Sequence, residues 1–252
     1  MSLSVNIAGV DLNNPYSRYG HLEVDEIDGW FNAPAIKQKE DARVNADGDV
    51  PAPVYYESRY ITISGALASK TPQDRWICSD MIQSLLNGEE KKLVIEVDGV
   101  ARWAMVQPNG QPEIDVVAHR LVNYQLSLKA TDPYKYGGPQ SFSAAVGSTV
   151  DVFHRGTVPA WPIITVTGSL PGGYELILGG HTVQVTKSLA TGSTHTLDMR
   201  TGILRENGSR VYGSIGIAEY FTVAPGDRQP FYSVPSTTGS GTATVRLNDT
   251  YI

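Results

Sequence analysis

A single cysteine, Cys78, occurs in 252 residues, so no internal disulfide can form and packing alone must hold the fold. That usage suits synthesis in a reducing cytoplasm. Cys78 follows Trp76 and Ile77 in a helical pattern, where it reads as a small buried hydrophobe rather than a reactive thiol. Long hydrophobic runs are missing too, and no stretch approaches the ~20 apolar residues of a membrane span. The opening Met1-Ser2-Leu3-Ser4-Val5-Asn6-Ile7 has neither a basic region nor an apolar run of signal-peptide length. The expectation is a soluble chain that no standard signal exports.

Catalytic patterns are equally scarce. The five histidines (His21, His119, His154, His181, His195) stand singly, without the i, i+4 spacing or H-E-x-x-H pattern of a metal site. There is no G-x-S-x-G, no phosphate-cradling glycine loop and no dinucleotide fingerprint. The densest acidic spots, Asp25-Glu26-Asp28 and Glu89-Glu90, fall at a strand end and after a helix. They read as solvated turns, not as the facing carboxylates a glycosidase needs. Asn45-Ala46-Asp47-Gly48-Asp49 alternates acidic side chains like a calcium loop. It lacks the bidentate Glu, and Pro51 and Pro53 interrupt the register, so it reads as a turn. These absences point away from an enzyme and imply no catalytic residue, cofactor or metal.

Charge is present but lopsided. Met1 to Tyr136 holds 19 acidic and 13 basic residues, and Gly137 to Ile252 holds seven of each, so the net −6 sits entirely in the first half. Such a half is a poor holder of nucleic acid, which requires clustered Lys and Arg.

The two halves also differ in pattern. The first mixes strands with one helix, expected over about 72–87. Thr71 is a good N-cap, Pro72 fits the first position and Asp74 places a carboxylate in the first turn. Ile77, Met81 and Leu85, widened by Ile82 and Leu86, form the apolar stripe, and Asn87-Gly88 offers a left-handed stop. Arg59 to Gly65 and Val122 to Lys129 alternate as half-buried strands, and Asp98-Gly99 turns Leu93–Val97 back into Ala101–Val106. The second half shows no helix. Short alternating runs (163–167, 174–178, 181–186, 202–205, 210–212, 242–247) are separated by Gly-rich turns, the sharpest at Asn207-Gly208. The predicted fold is mainly β in two domains, 1–138 and 139–252, the second a β-sandwich. Phe31 to Tyr56 and Gly226 to Gly241 carry no period. A patternless stretch as long as the first usually has a task or is an arm reaching a neighbour.

An ordered series of modest motifs resembles the distal tail protein (Dit) family of siphophages over nearly the whole chain. Gly29-Trp30, Arg43, Asp47-Gly48-Asp49 and the strand opening at Arg59, followed by the helix, are similar to the family's ring-forming domain. The step from Leu126 through Lys129 into Asp132-Pro133-Tyr134 matches the end of that domain. Gly156 to Val166, with Trp161-Pro162 at its centre, resembles the opening of the family's C-terminal sandwich, and a Leu197-Asp198 step and the Asn-Gly hairpin follow in order. One step departs: members often close on Trp-Arg or Arg-Pro-aromatic, where this chain has Val245-Arg246-Leu247-Asn248. Arg59, Asp132, Pro133, Tyr134 and Pro162 are the structural motif residues carried over.

The resemblance implies an N-terminal sandwich or split-barrel domain with one helix and a C-terminal sandwich like those of galectins and carbohydrate-binding modules. It implies a homo-hexameric ring between the tail tube protein and the tail-associated tip protein, with DNA passing through the channel without specific binding. In some members the outer domain holds a receptor-binding protein. The location implied is the tail tip of the virion, assembled in the host cytoplasm, with no membrane insertion. If the acidic half lines the channel, its charge would keep DNA from sticking in transit. A second reading is a module that recognises cell-wall saccharide through exposed aromatics, with Trp161, Tyr174, Tyr212, Tyr220, Phe221, Phe231 and Tyr232 as candidates.

Overall fold

The computed structural model describes residues 2–18, 20–37, 41–43, 47, 49–50 and 53–252. The chain is mainly β, with one helix among the described residues. It packs as two compact units, one running up to Lys135 and the other Tyr136–Tyr251.

In chain order the first unit carries β1 (Leu3–Ile7), β2 (Val10–Asp11), β3 (Gly20–Asp28), β4 (Ile36–Lys37), β5 (Asp41–Ala42), β6 (Asp49–Val50), β7 (Tyr55–Tyr56), β8 (Arg59–Ser69), α1 (Pro72–Ser84), β9 (Lys91–Val97), β10 (Val100–Pro108), β11 (Glu113–Ala118) and β12 (Leu121–Ala130). Strands in the order β2-β1-β9-β10 make one antiparallel layer, and β11-β12-β8-β3 make the other. Gln107 and Pro108 of β10 pair with Lys129 and Leu128 of β12, so the two layers join at one side as in a split barrel. Alternation decides what lies between them. Ile61, Ile63 and Leu67 of β8 and Val122, Tyr124, Leu126 and Leu128 of β12 meet Val5, Ile7, Leu93 and Ile95 in a single core. Each such aliphatic side chain removed from water stabilises the fold by about 1.5–3 kcal/mol.

Helix α1 starts where expected. Thr71 Oγ1 accepts the Asp74 backbone N–H at 3.1 Å and donates to Asp74 Oδ2 at 2.7 Å, satisfying one orphan donor of the first turn. It ends earlier, with Leu85 as C-cap, although Gly88 does take a positive φ of 86°. Of the apolar stripe, Ile82, Leu85 and Leu86 are buried and Met81 packs against the core, but Ile77 departs from it. Cys78, Ser79 and Ile82 point inward, while Trp76 is 62% and Ile77 47% exposed. The small Cys78 and Ser79 let the helix lie close on the sheet, and the bulky Ile77 is left outside. Burial pushes the Cys78 thiol up to about 11, with Asp74 adding to the effect, so the thiol stays protonated at neutral pH.

The second unit contains β13 (Lys135–Ala145), β14 (Thr149–Val152), β15 (Ile163–Ser169), β16 (Tyr174–Leu178), β17 (His181–Val185), β18 (Thr194–Asp198), β19 (Ile203–Glu206), β20 (Ser209–Arg210), β21 (Ile215–Ala218), β22 (Gln229–Pro235) and β23 (Ser240–Tyr251). One sheet runs β13-β23-β15-β18-β19-β20 and the other β14-β22-β16-β17-β21. Both turn an apolar face inward. Ile164, Val166, Leu197 and Val245 from the first meet Leu176, Leu178, Val183 and Phe231 from the second, which makes a β-sandwich. Asn207 and Gly208 take φ of 49° and 85°, and Asp98 and Gly99 take 49° and 81°. Both are the two-residue left-handed turns that match strand twist. The atypical closing segment lies inside β23, where Val245 and Leu247 are buried in the ordinary alternation. The patternless Gly226–Gly241 stretch contains β22, a strand paired on both sides with β14 and β16.

Candidate assembly site at the base of the arm

Phe31 to Tyr56 is where the first unit departs from a packed sandwich. Its described parts form two short antiparallel ladders: Ile36 opposite Tyr56 with Lys37 opposite Tyr55, and Asp41 opposite Val50 with Ala42 opposite Asp49. Each ladder pairs two residues with two. Phe31, Ile36, Val50, Val54 and Tyr56 are exposed, and Tyr55 is 65% exposed. Six exposed apolar and aromatic side chains thus fall within one short stretch of the chain. Arg43 and Asp47 are exposed. Asn45, Ala46 and Gly48 of the calcium-loop-like stretch lie outside the described residues.

The arm springs from a buried anchor. Arg59, first residue of β8, is 1% exposed. Its Nη1 donates to Gly29 O at 2.9 Å, Asn32 O at 2.6 Å and Trp30 O at 3.3 Å, and its Nε donates to Pro133 O at 3.0 Å. A planar guanidinium can reach carbonyls on two segments at once, which a lysine cannot. Gly29 has to be glycine here: φ is +76°, and a Cβ would stand 1.9 Å from Tyr60 O. Burial holds the Arg59 guanidinium below its usual pKa. Lys135, also buried, donates from Nζ to Trp30 O at 3.0 Å and lies 5.8 Å from the Trp30 ring centre. Burial, then Arg59 and Arg102, pull its ammonium down to about 8.

Of the motif residues, Arg59, Pro133 and the Gly29-Trp30 pair therefore meet at one place. Asp132 and Tyr134 flank it, the Asp132 carboxylate accepting the Tyr134 backbone N–H at 3.3 Å. Pro162 lies in the second unit, where its carbonyl accepts the Met199 N–H at 3.1 Å. Lys135 was not singled out from sequence; a lysine directly after Asp-Pro-Tyr carries no mark of burial.

A second feature of the first unit is the outer face of its β3-β8-β12-β11 layer. Cross-strand rows run Glu26–Ser64–Gln125–Glu113 and Glu23–Ala66–Asn123–Asp115. Each row is polar or small in the middle and carboxylate at both ends. A cleft of about 440 Å³ opens among Asp25, Glu113, Asp115 and Asn123. Among the described residues no group of three or more His, Cys, Asp or Glu is placed to hold a metal ion. The Glu89-Glu90 pair is solvated, Glu89 meeting Lys91 at 2.7 Å.

Of the seven candidate sugar-stacking aromatics in the second unit, Tyr174, Phe221 and Phe231 are buried and Tyr220 packs against the same core, while Trp161 and Tyr212 are exposed. The titratable feature there is His195. Its ring is fully buried, with Nδ1 sharing a hydrogen bond with Tyr174 Oη at 3.2 Å. Its Nε2 has no hydrogen-bond partner, and Glu206 Oε1 stands 3.9 Å away. Burial lowers the His195 pKa, opposed by Glu206 and assisted by Lys187; burial lowers that of His154 as well. The unfolded chain takes up these protons near pH ~6.5, whereas the folded unit resists them. Stability is therefore present above that pH and falls as pH drops below it. The urea midpoint of the second unit should decrease from pH 7 to pH 5.5, and less steeply in His195→Gln. Equal slopes for the two proteins would rule out His195 as a source.

No protein-family model matches the sequence, and no curated protein matches it. Solved structures do. The Dit protein of phage SPP1, described as a paradigm of the hub adsorption apparatus in Gram-positive infecting phages, is similar with a TM-score of 0.78 and 15% identity, over 100% of both chains. A chain of the phage p2 baseplate in its activated conformation with calcium gives a TM-score of 0.56 at 6% identity. The strontium form of that baseplate gives 0.54 at 5%, each covering 97% of this chain and 98% of the other. The likeness covers the whole of both chains, and the fold of this chain is that of the SPP1 Dit protein.

Proposed function

We propose that this chain is a structural hub subunit of a phage tail tip, without enzymatic activity. Six copies close into a ring through the first unit, between tail tube and tip protein, and DNA passes through the centre. The observation that carries this reading is the full-length likeness to the SPP1 hub protein. The exposed aromatic arm supports it as the contact between neighbouring copies. The test is absolute mass by size-exclusion chromatography with light scattering at several concentrations. A chain of 27.3 kDa should give roughly 164 kDa as a closed six-fold ring. A monomer at every concentration, with or without tube and tip proteins, would refute the ring.

The acidic outer face of the β3-β8-β12-β11 layer fits the wall of a DNA channel, where like charge keeps the duplex from adhering. Glu23→Lys, Glu113→Lys and Asp115→Lys together should leave ring mass unchanged and slow DNA ejection. Wild-type ejection kinetics in the triple variant would remove this face from the channel. Direct saccharide recognition has weaker support, because of the aromatics named above only Trp161 and Tyr212 are exposed.

A further inference from the structure

At the foot of the arm the first unit encloses a cavity of about 220 Å³, with Trp30, Phe31, Ile95 and Val100 among its walls and Lys135 in its lining. Four of these are apolar or aromatic, and the charged side chains in the lining are cations. An ammonium has three donors, and Trp30 O takes one from Lys135. Arg102 is also in the lining. Behind Lys135, Arg59 Nη2 is buried with no hydrogen-bond partner among the described residues. Among the described residues no carboxylate lines the cavity. Lys135 is buried, and a buried ammonium costs folding free energy unless an anion or further acceptors meet its remaining donors.

We propose that the cavity receives an Asp or Glu side chain from a second copy of this chain, its carboxylate meeting the Lys135 ammonium and its methylenes the apolar walls. Size argues for a side chain: 220 Å³ lies below the ~300–1,000 Å³ of ordinary small-molecule sites. Charge argues for a second copy, since the same half of the chain supplies 19 acidic residues. Position argues likewise. Phe31, at the cavity, is exposed and begins the arm, so the cavity continues the surface assigned to subunit contact. The inference rests on the ring reading and names its lock. A carboxylate entering there forms a charge-assisted bond away from bulk water, the kind that fixes register between partners.

The test is zero-length cross-linking with a water-soluble carbodiimide, which joins an amine to a carboxylate only when the two touch. Rings assembled from an equal mixture of unlabelled and ¹⁵N-labelled full-length chains are treated, digested and read by mass spectrometry. The expected product joins the Lys135 peptide to an acidic peptide in mixed-label form. Rings whose other lysines cross-link while Lys135 yields no mixed-label product overturn the proposal and leave the ring reading standing. A chain that never assembles overturns both. As a second readout, Lys135→Met keeps an apolar stem, should melt no lower than wild type as a monomer, and should weaken assembly at least tenfold. A folded Lys135→Met protein that assembles at the wild-type concentration also overturns the proposal.

Discussion

Replacing Arg59 by Met should destabilise the first unit by about 3–4 kcal/mol, among the largest effects of any single substitution. Four backbone carbonyls, of Gly29, Trp30, Asn32 and Pro133, accept from this one guanidinium. A hydrogen bond to a charged group is worth about 1.5–3 kcal/mol, and a buried acceptor left without a donor costs about 1–3. The effects overlap, since some carbonyls will find water, so the total falls short of their sum. Arg59→Lys should recover little, because an ammonium is compact and cannot span Pro133 and the Gly29–Asn32 turn together. Urea denaturation followed by tryptophan fluorescence measures the change directly. A loss below about 1 kcal/mol in Arg59→Met would mean that the anchor is dispensable.

The second large effect is on assembly, with folding spared. Ala35 O accepts the Glu57 N–H at 2.8 Å, so the two ends of the arm are already adjacent and a Gly-Gly link can replace residues 36–56. The described side chains removed with β4 and β7 are exposed, and exposed positions usually shift stability by less than ~0.5 kcal/mol each. The melting temperature should therefore stay within a few degrees of wild type. The mass should fall from that of a six-fold ring to that of one shortened chain, roughly 25 kDa. Intact rings from the shortened chain would refute the arm as the subunit contact. A monomer that has also lost its cooperative melting would mean that the arm belongs to the core after all.

Much of the fold is legible because local chemistry and tertiary placement agree. The Asp98-Gly99 and Asn207-Gly208 turns adopt the left-handed φ their residues allow, and strand β12 buries the apolar set its alternation displays. Thr71 caps α1 as its type predicts. Failures occur where small or polar residues face inward. Ser233 is completely buried in β22, so the strand loses its alternating signal, and Pro230 and Pro235 read as breakers although they stand near its ends. In β3 the register shifts between Val24 and Glu26, so Asp25 and Glu26 are both exposed and the alternation breaks before the strand ends. Helix α1 turns Ser79 rather than Ile77 to the sheet because fit outweighed hydrophobicity there. The anchor is harder still to read. Arg59 binds carbonyl oxygens 27 to 74 positions away, and every residue type has a carbonyl. Motif resemblance could single out Arg59 and Pro133; what joins them is visible only once the strands are placed.

The position of β23 has a consequence for how the protein is made. It lies between β13 and β15 in its sheet, yet it is synthesised after every other strand of the second unit. Until it emerges, β13 and β15 each wait with an open edge and the Val166 side of the core lacks Ala243 and Val245. Domains tend to fold as units in the order they leave the ribosome. The first unit can therefore be complete while the second is still an unsealed sheet, the state most exposed to edge-to-edge aggregation. Nascent chains stalled before Ser240 should be sticky, and a chaperone that shields strand edges would have its work concentrated in that interval.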